Sequence, residues 1–104
     1  MTDSVAVFVD GDNVPASYAG KIIRWARSMG TVVLARSYGC ENALANWQEA
    51  VSFQFVYAGT GKNATDVLIA VEATEQVLSN PVQTVMLCSS DADFTHVARF
   101  IRSK

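Results

Sequence analysis

Residues 5–13 of this sequence read Val-Ala-Val-Phe-Val-Asp-Gly-Asp-Asn, and their pattern indicates the fold class. Its unbroken apolar run predicts a β-strand buried on both faces, which is typical of a parallel sheet. Carboxylates follow that strand directly, and a second apolar run at residues 83–88 is followed by Asp91 and Asp93. Carboxylates gathered at strand ends repel one another unless protons or a cation neutralise them. Hard oxygen ligands of this kind suit Mg²⁺ or Mn²⁺.

Length and composition limit the class of protein. A chain of 104 residues that is 50% hydrophobic predicts one domain spanning residues 1–104. It has no apolar stretch of transmembrane length and no signal-peptide pattern, and Cys40 and Cys88 lack metal-ligand spacing. We therefore expect a cytoplasmic protein with reduced thiols and no membrane association. The net charge of −2 differs from the basic excess of proteins that grip duplex nucleic acid, so a nucleic-acid contact would be small or rely on a cation.

The succession of apolar patterns predicts strands and helices in alternation. Strands are expected at residues 5–10, 31–38, 53–57 and 83–88, and helices at residues 15–29, 43–50, 65–78 and 91–102. This alternation implies a parallel sheet with helices on both faces. Ligands of such folds bind beyond the carboxyl ends of the strands, where the strand order reverses, so Asp10 and Asp91 should lie side by side.

The first polar segment follows the first strand. Gly11 permits a tight turn that exposes the carboxylates on either side of it. Asp10 is expected to bind the metal, and Asn13 to position a phosphate or a water molecule. Capping of the following helix is the structural alternative for Asp12 and Asn13.

Two later polar segments carry further candidates. Lys62 can reach a phosphate as a point charge, whereas Asp66 near a helix start is favoured by the helix dipole whether or not it binds metal. Residues 88–94 read Cys-Ser-Ser-Asp-Ala-Asp-Phe, so Ser89 and Ser90 accompany the carboxylates there. One such group suffices to cap a helix, and four on one turn favour function.

The remaining polar and aromatic residues are given structural roles. Glu72 is expected to be solvated, His96 to lie on the surface, and both tryptophans to pack in the interior. Arg99 suits the C-terminal dipole of the last helix and, equally, contact with a nucleic-acid backbone.

Asn42 is expected to cap the second helix, and the core-facing residues of the third helix are expected to be Val67, Leu68, Val71 and Leu78. No Ser-His-Asp triad, zinc spacing or dinucleotide glycine fingerprint is present.

The three polar segments together resemble the NYN domain in its LabA-like branch. The resemblance is carried by residues 7–13, 62–66 and 88–94, in the family's order, and it covers nearly the whole chain. It implies a PIN-like nuclease with a parallel sheet in a three-layer α/β/α sandwich. It also implies that the metal-binding and catalytic residues are Asp10, Asp66, Asp91 and Asp93, and that substrate contacts come from Asn13, Lys62, Ser89 and Ser90. Arg99 is expected to join them by neutralising phosphate charge.

The activity implied by the resemblance is hydrolysis of single-stranded or structured RNA by an endoribonuclease. One or two Mg²⁺ or Mn²⁺ ions would activate water for in-line attack, with neither a protein nucleophile nor an organic cofactor. Two departures from the family stand out. Glu72 occupies a position that is commonly Asp, and the sequence stops at Lys104 where family members usually continue into another strand. Whether the sheet lacks that edge strand is left open, and an open edge would favour a homodimer.

Two other functions compete with this interpretation. Residues 9–14 also resemble the first motif of haloacid-dehalogenase-type phosphatases, in which Asp10 would be the nucleophile and Asp12 the acid/base. The chain is short for that fold, and residues 62–66 fit the nuclease pattern better. The second alternative is a non-catalytic module that binds RNA or a protein.

Overall fold

The computed structural model describes residues 4–60, 63–79, 82–89 and 97–101, the last range as backbone. Its strands are β1 (Ser4–Asp10), β2 (Thr31–Gly39), β3 (Gln54–Tyr57), β4 (Thr84–Cys88) and β5 (Val97–Ile101). Its α-helices are α1 (Ala19–Met29), α2 (Glu41–Trp47) and α3 (Ala64–Ser79), and a 3₁₀ turn, Ala16–Tyr18, precedes α1. The sheet order is β3-β2-β1-β4-β5, and the first four of these strands are parallel. The predicted α/β architecture is therefore confirmed.

The central strand β1 separates two hydrophobic cores. Its side chains from Val5 to Val9 are fully buried, as the unbroken apolar run predicts. Successive side chains of a strand point to opposite faces. Val5, Val7 and Val9 therefore pack in the core under α1 and α2, whereas Ala6 and Phe8 pack in the core under α3. Helices on both faces of the sheet give the three layers.

The strand order reverses at β1, which lies between β2 and β4. Asp10, the last residue of β1, is aligned with Tyr38 of β2, and Val9 is aligned with Cys88 of β4. This is the switch point at which ligands of such folds bind, and it lies at the end of the sheet where the carboxylates were predicted.

The predicted helix over residues 91–102 is wrong for residues 97–101. These form β5, which pairs antiparallel with β4 and places Arg99 opposite Met86. The segment reads Val-Ala-Arg-Phe-Ile, and its β-branched and aromatic residues favour a strand beside an unpaired edge. An edge strand therefore follows β4. The rest of the predicted helix, residues 91–96 and 102, lies outside the described residues.

The face that α3 turns to the core also differs from the prediction. Leu68 packs there as predicted, but Val67, Val71 and Leu78 are 59%, 58% and 77% exposed. The other core contacts of α3 come from Ile69, Ala73 and Val77. Apolar residues occur on every side of this helix, so their spacing does not select a face. Packing against the sheet makes that choice.

Smaller predictions have mixed outcomes. Trp47 is fully buried and its indole N–H donates to the Val14 carbonyl at 3.0 Å, as expected of a packing residue, whereas Trp25 is 42% exposed. Asn42 does not cap α2, because the helix begins at Glu41. Both cysteines are free thiols. Within the described ranges, no helix has the length and apolarity needed to cross a membrane.

Candidate functional site

Asp10 ends β1 with a buried carboxylate that is only 2% exposed. The Asn13 side-chain amide donates to its Oδ2 at 2.8 Å, and the Asp12 backbone N–H donates to its Oδ1 at 3.2 Å. The turn after β1 closes where the Val14 N–H donates to the Asp10 carbonyl at 2.9 Å. Neither the 3₁₀ turn nor α1 has a side-chain cap, so Asn13 orients Asp10 and does not cap a helix.

Gly11 lets this turn lie against β2. Its N–H donates to the Tyr38 carbonyl at 2.7 Å. A Cβ at this position would lie 2.8 Å from that same carbonyl oxygen and 3.1 Å from the Trp47 ring. Glycine is therefore required by the close approach of two backbones, directly after Asp10 at the carboxyl end of β1.

The environment of Asp10 penalises its negative charge. Burial is the largest effect and raises the pKa of this carboxyl above its ordinary value, and the charges of Asp66 and Asp12 raise it further. The hydrogen bonds from Asn13 and from the Asp12 N–H offset part of that rise. A buried carboxylate beside a second one is a group that a bound cation would stabilise.

Asp10 and Asp66 share one polar pocket of about 150 Å³. The pocket is lined by Asp10, Asp12, Asn13, Asn63, Ala64, Thr65 and Asp66. Asp66 is exposed in the first turn of α3, so its carboxylate is accessible to solvent. The fold thus brings together three of the predicted site residues, Asp10, Asn13 and Asp66, from segments more than fifty residues apart.

Asp12 connects three segments around this pocket. Its Oδ1 accepts from the Cys40 backbone N–H at 2.9 Å, and its Oδ2 accepts from the Thr65 hydroxyl at 2.6 Å. The turn after β1, the start of α2 and the start of α3 are therefore held by one carboxylate. The sequence left Asp12 undecided because these partners are 28 and 53 residues away along the chain.

Glu72 is not the solvated residue that was predicted. Its Oε1 accepts from Arg36 Nη1 at 2.9 Å and from the Tyr38 hydroxyl at 2.6 Å. Burial, and next the hydrogen bond to Glu72, raises the pKa of Tyr38 above its ordinary value. The contacts of Glu72 join α3 to β2, the strand that pairs with β1 beside Asp10. The spacing of Glu72 on its helix carries no signal for it, because both partners come from another element.

Glu72→Gln is expected to destabilise the fold by about 1–2 kcal/mol, because a partly buried arginine loses its charged partner. Chemical denaturation monitored by circular dichroism measures the change. Glu75→Gln is the matched control, because Glu75 is exposed on the same helix and should leave stability unchanged. Equal stability of both variants would mean that the Arg36–Glu72 pair contributes nothing measurable.

Several predicted site residues lie outside the described residues or are described in part. Lys62, Ser90, Asp91 and Asp93 are outside, as is His96. Ser89 is exposed directly after β4, and Arg99 is placed by its backbone in β5. In the part of the chain that the structure describes, no group of three or more His, Cys, Asp or Glu side chains could hold a metal ion. The described residues supply Asp10 and Asp66 of the four predicted ligands.

Comparison with known proteins identifies one family. The sequence-family model of the NYN domain matches residues 4–104, which is nearly the whole chain. Neither the search of curated proteins nor the search of solved structures finds a match.

Proposed function

This chain belongs to the NYN domain family, and from that premise we propose that it is a metal-dependent endoribonuclease of the LabA-like branch. The family is part of the PIN-like nuclease superfamily, which supports a nuclease role. The proposal has three finer parts: the substrate is RNA, the enzyme cleaves internal phosphodiester bonds, and it needs a divalent cation.

The observation that carries the proposal is the pairing of Asp10 and Asp66 in one polar pocket at the switch point of the sheet. The donor set fits a hard divalent cation, because both groups offer carboxylate oxygens and burial makes the charge of Asp10 costly. We propose that Mg²⁺ or Mn²⁺ is held by Asp10, Asp66, Asp91 and Asp93. Such an ion supplies a water molecule of lowered pKa and polarises the phosphodiester.

The protein side chains have separate tasks in this proposal. Asn13 fixes the orientation of the Asp10 carboxylate through its 2.8 Å hydrogen bond. Lys62 and Arg99 neutralise phosphate charge, and the hydroxyls of Ser89 and Ser90 donate to phosphate oxygens. Single-stranded or structured RNA is the proposed substrate.

The contacts of Asp12 argue against the phosphatase alternative. In that mechanism Asp12 would exchange a proton with the substrate. Both of its oxygens instead accept hydrogen bonds from within the protein, from the Cys40 N–H and from the Thr65 hydroxyl. These hydrogen bonds favour a structural role for Asp12 over an acid/base role.

The test is cleavage of end-labelled single-stranded RNA with Mg²⁺ or Mn²⁺, beside an EDTA control. We expect metal-dependent internal cuts that the Asp10→Asn, Asp91→Asn double variant loses. Glu75→Gln, the exposed carboxylate control, should cut at the wild-type rate. A folded protein that binds RNA equally well in EDTA and never cuts it would favour the non-catalytic module, and beryllofluoride trapped on Asp10 would favour the phosphatase.

A further inference from the structure

The exposed side of α1 is entirely basic, aromatic or small. It consists of Gly20, Lys21, Arg24, Trp25, Arg27 and Ser28, which we call the α1 outer face. The opposite side of the helix is apolar, and Ile22, Ile23 and Ala26 are buried in the core. No carboxylate occurs anywhere in Ala19–Met29.

Positive charge is concentrated on this face although the protein is acidic as a whole. The net charge of the chain is −2, yet three of its eight Lys and Arg residues lie within the eleven residues of α1. Within the described part of the chain, no carboxylate forms an ion pair with Lys21, Arg24 or Arg27. Three cations that form no ion pair with a described carboxylate make a local site for a polyanion.

Helix stability does not explain this arrangement. Lys21 lies in the first turn of α1, where the helix dipole disfavours a cation, and that turn has neither an acidic residue nor a side-chain cap. Lys21 Nζ lies 5.7 Å from the centre of the Tyr18 ring, just before the helix. The Arg24 guanidinium leans the same way, since a Cβ on Gly20 would lie 3.6 Å from its Nη1. Only Arg27, in the last turn, suits the dipole.

An aromatic side chain completes the face. Trp25 is 42% exposed and lies one turn beyond Lys21. Cations interleaved with an exposed indole are typical of surfaces that track a nucleic-acid backbone and stack its bases.

The topology places the first turn of α1 at the same end of the sheet as the acidic pocket. α1 follows β1 through a short connection and returns along the sheet to β2, so Lys21 lies at the pocket end and Arg27 at the far end. The two positions are about 9 Å apart along the helix axis.

We propose that the α1 outer face binds the backbone of single-stranded RNA and guides it to the acidic pocket, an inference that rests on the proposed function. A membrane surface is the less favoured partner, because the apolar side of α1 is already buried in the core.

The test measures binding of a fluorescein-labelled single-stranded RNA by anisotropy over a range of KCl concentrations. The protein carries Asp10→Asn in EDTA, so that the RNA stays intact. Lys21→Gln with Arg24→Gln should weaken binding about tenfold at 0.1 M salt and lower the salt slope by about 1.4, which is about 0.7 for each lost phosphate contact. Trp25→Leu should weaken binding about fivefold or more with little change in slope.

Val51→Glu with Leu78→Glu is the matched control, because it changes the net charge by the same two units at side chains that are 97% and 77% exposed. Its affinity should stay within about twofold of the parent, since it removes no phosphate contact. Equal losses in the control and the Lys21, Arg24 variant would overturn the inference, because the effect would then be net charge alone. Binding to phosphatidylserine vesicles without binding to RNA would also overturn it.

Failure of this inference and failure of the nuclease proposal give different results. With Asp10 intact, the Lys21, Arg24 variant should raise KM about tenfold and leave kcat unchanged. RNA cleavage with an unchanged KM would reject the guiding surface and keep the nuclease. Loss of RNA binding in a protein whose parent never cleaves would keep the surface and reject the nuclease.

Discussion

Asp10→Asn alone is expected to reduce RNA cleavage by more than about 100-fold while making the metal-free protein more stable. Removing a residue that hydrogen-bonds to a metal ligand lowers metal affinity or activity roughly 10- to 100-fold, and removing a direct ligand should lower activity further. The stability gain arises because the amide carries no charge in a site that is 2% exposed. We expect a gain of about 0.5–2 kcal/mol, which raises Tm by several degrees in a domain of this size.

The pH dependence of this gain follows from the direction of the pKa shift. The pKa of Asp10 is higher in the folded state than in the unfolded chain, mainly because of burial. The unfolded chain therefore releases its proton first, and wild-type stability falls as pH rises from the ordinary Asp pKa through the raised one. The gain of Asp10→Asn should be largest above that window and should vanish below it.

Thermal unfolding in EDTA at several pH values measures the effect, with Glu75→Gln as the exposed carboxylate control. Adding Mn²⁺ at about 100 times its Kd should stabilise the wild-type protein by about 2.7 kcal/mol and the Asp10 variant far less. An Asp10→Asn protein that is less stable than wild type at neutral pH in EDTA would contradict the view that this charge strains the metal-free fold.

Gly39→Ala is expected to be the most destabilising of these changes, by about 2–3 kcal/mol. A Cβ at Gly39 would collide with the Cβ of buried Ala43 on α2 and lie 2.7 Å from Asp12 Oδ1. The start of α2 or the Asp12 carboxylate must move, so the hydrogen bond from the Cys40 N–H is also weakened. Tm should fall by roughly 10–20 °C.

Gly20→Ala is the matched control for this substitution. It adds the same methyl group on the exposed side of α1, where the nearest atom is Arg24 Nη1 at 3.6 Å. Alanine is the better helix former, so this variant should gain about 0.5–1 kcal/mol. Calorimetry measures the Tm of both variants. A Tm of Gly39→Ala at or above the wild-type value would contradict the packing argument.

Local patterns in the sequence predict the α/β class, the first four strands and the position of Asp10 at the end of β1. Residues 5–9 are apolar without interruption, and a strand of this kind is stable only when both of its faces are covered. The carboxylate at its end, Asp10, must then lie at the carboxyl edge of a parallel sheet. These conclusions follow from local patterns, because the rules for connecting successive strands and helices fix where each strand ends in the sheet.

Contacts between residues far apart in the sequence become visible only in the folded structure. Asp12 binds Cys40 and Thr65, and Glu72 binds Arg36 and Tyr38, through contacts between segments 28 to 53 residues apart. The orientation of α3 and the strand at residues 97–101 were likewise set by packing and pairing. A periodic pattern reports how polar a side of a helix is, but a hydrogen bond needs two atoms within about 3 Å. That distance exists only once the elements have docked.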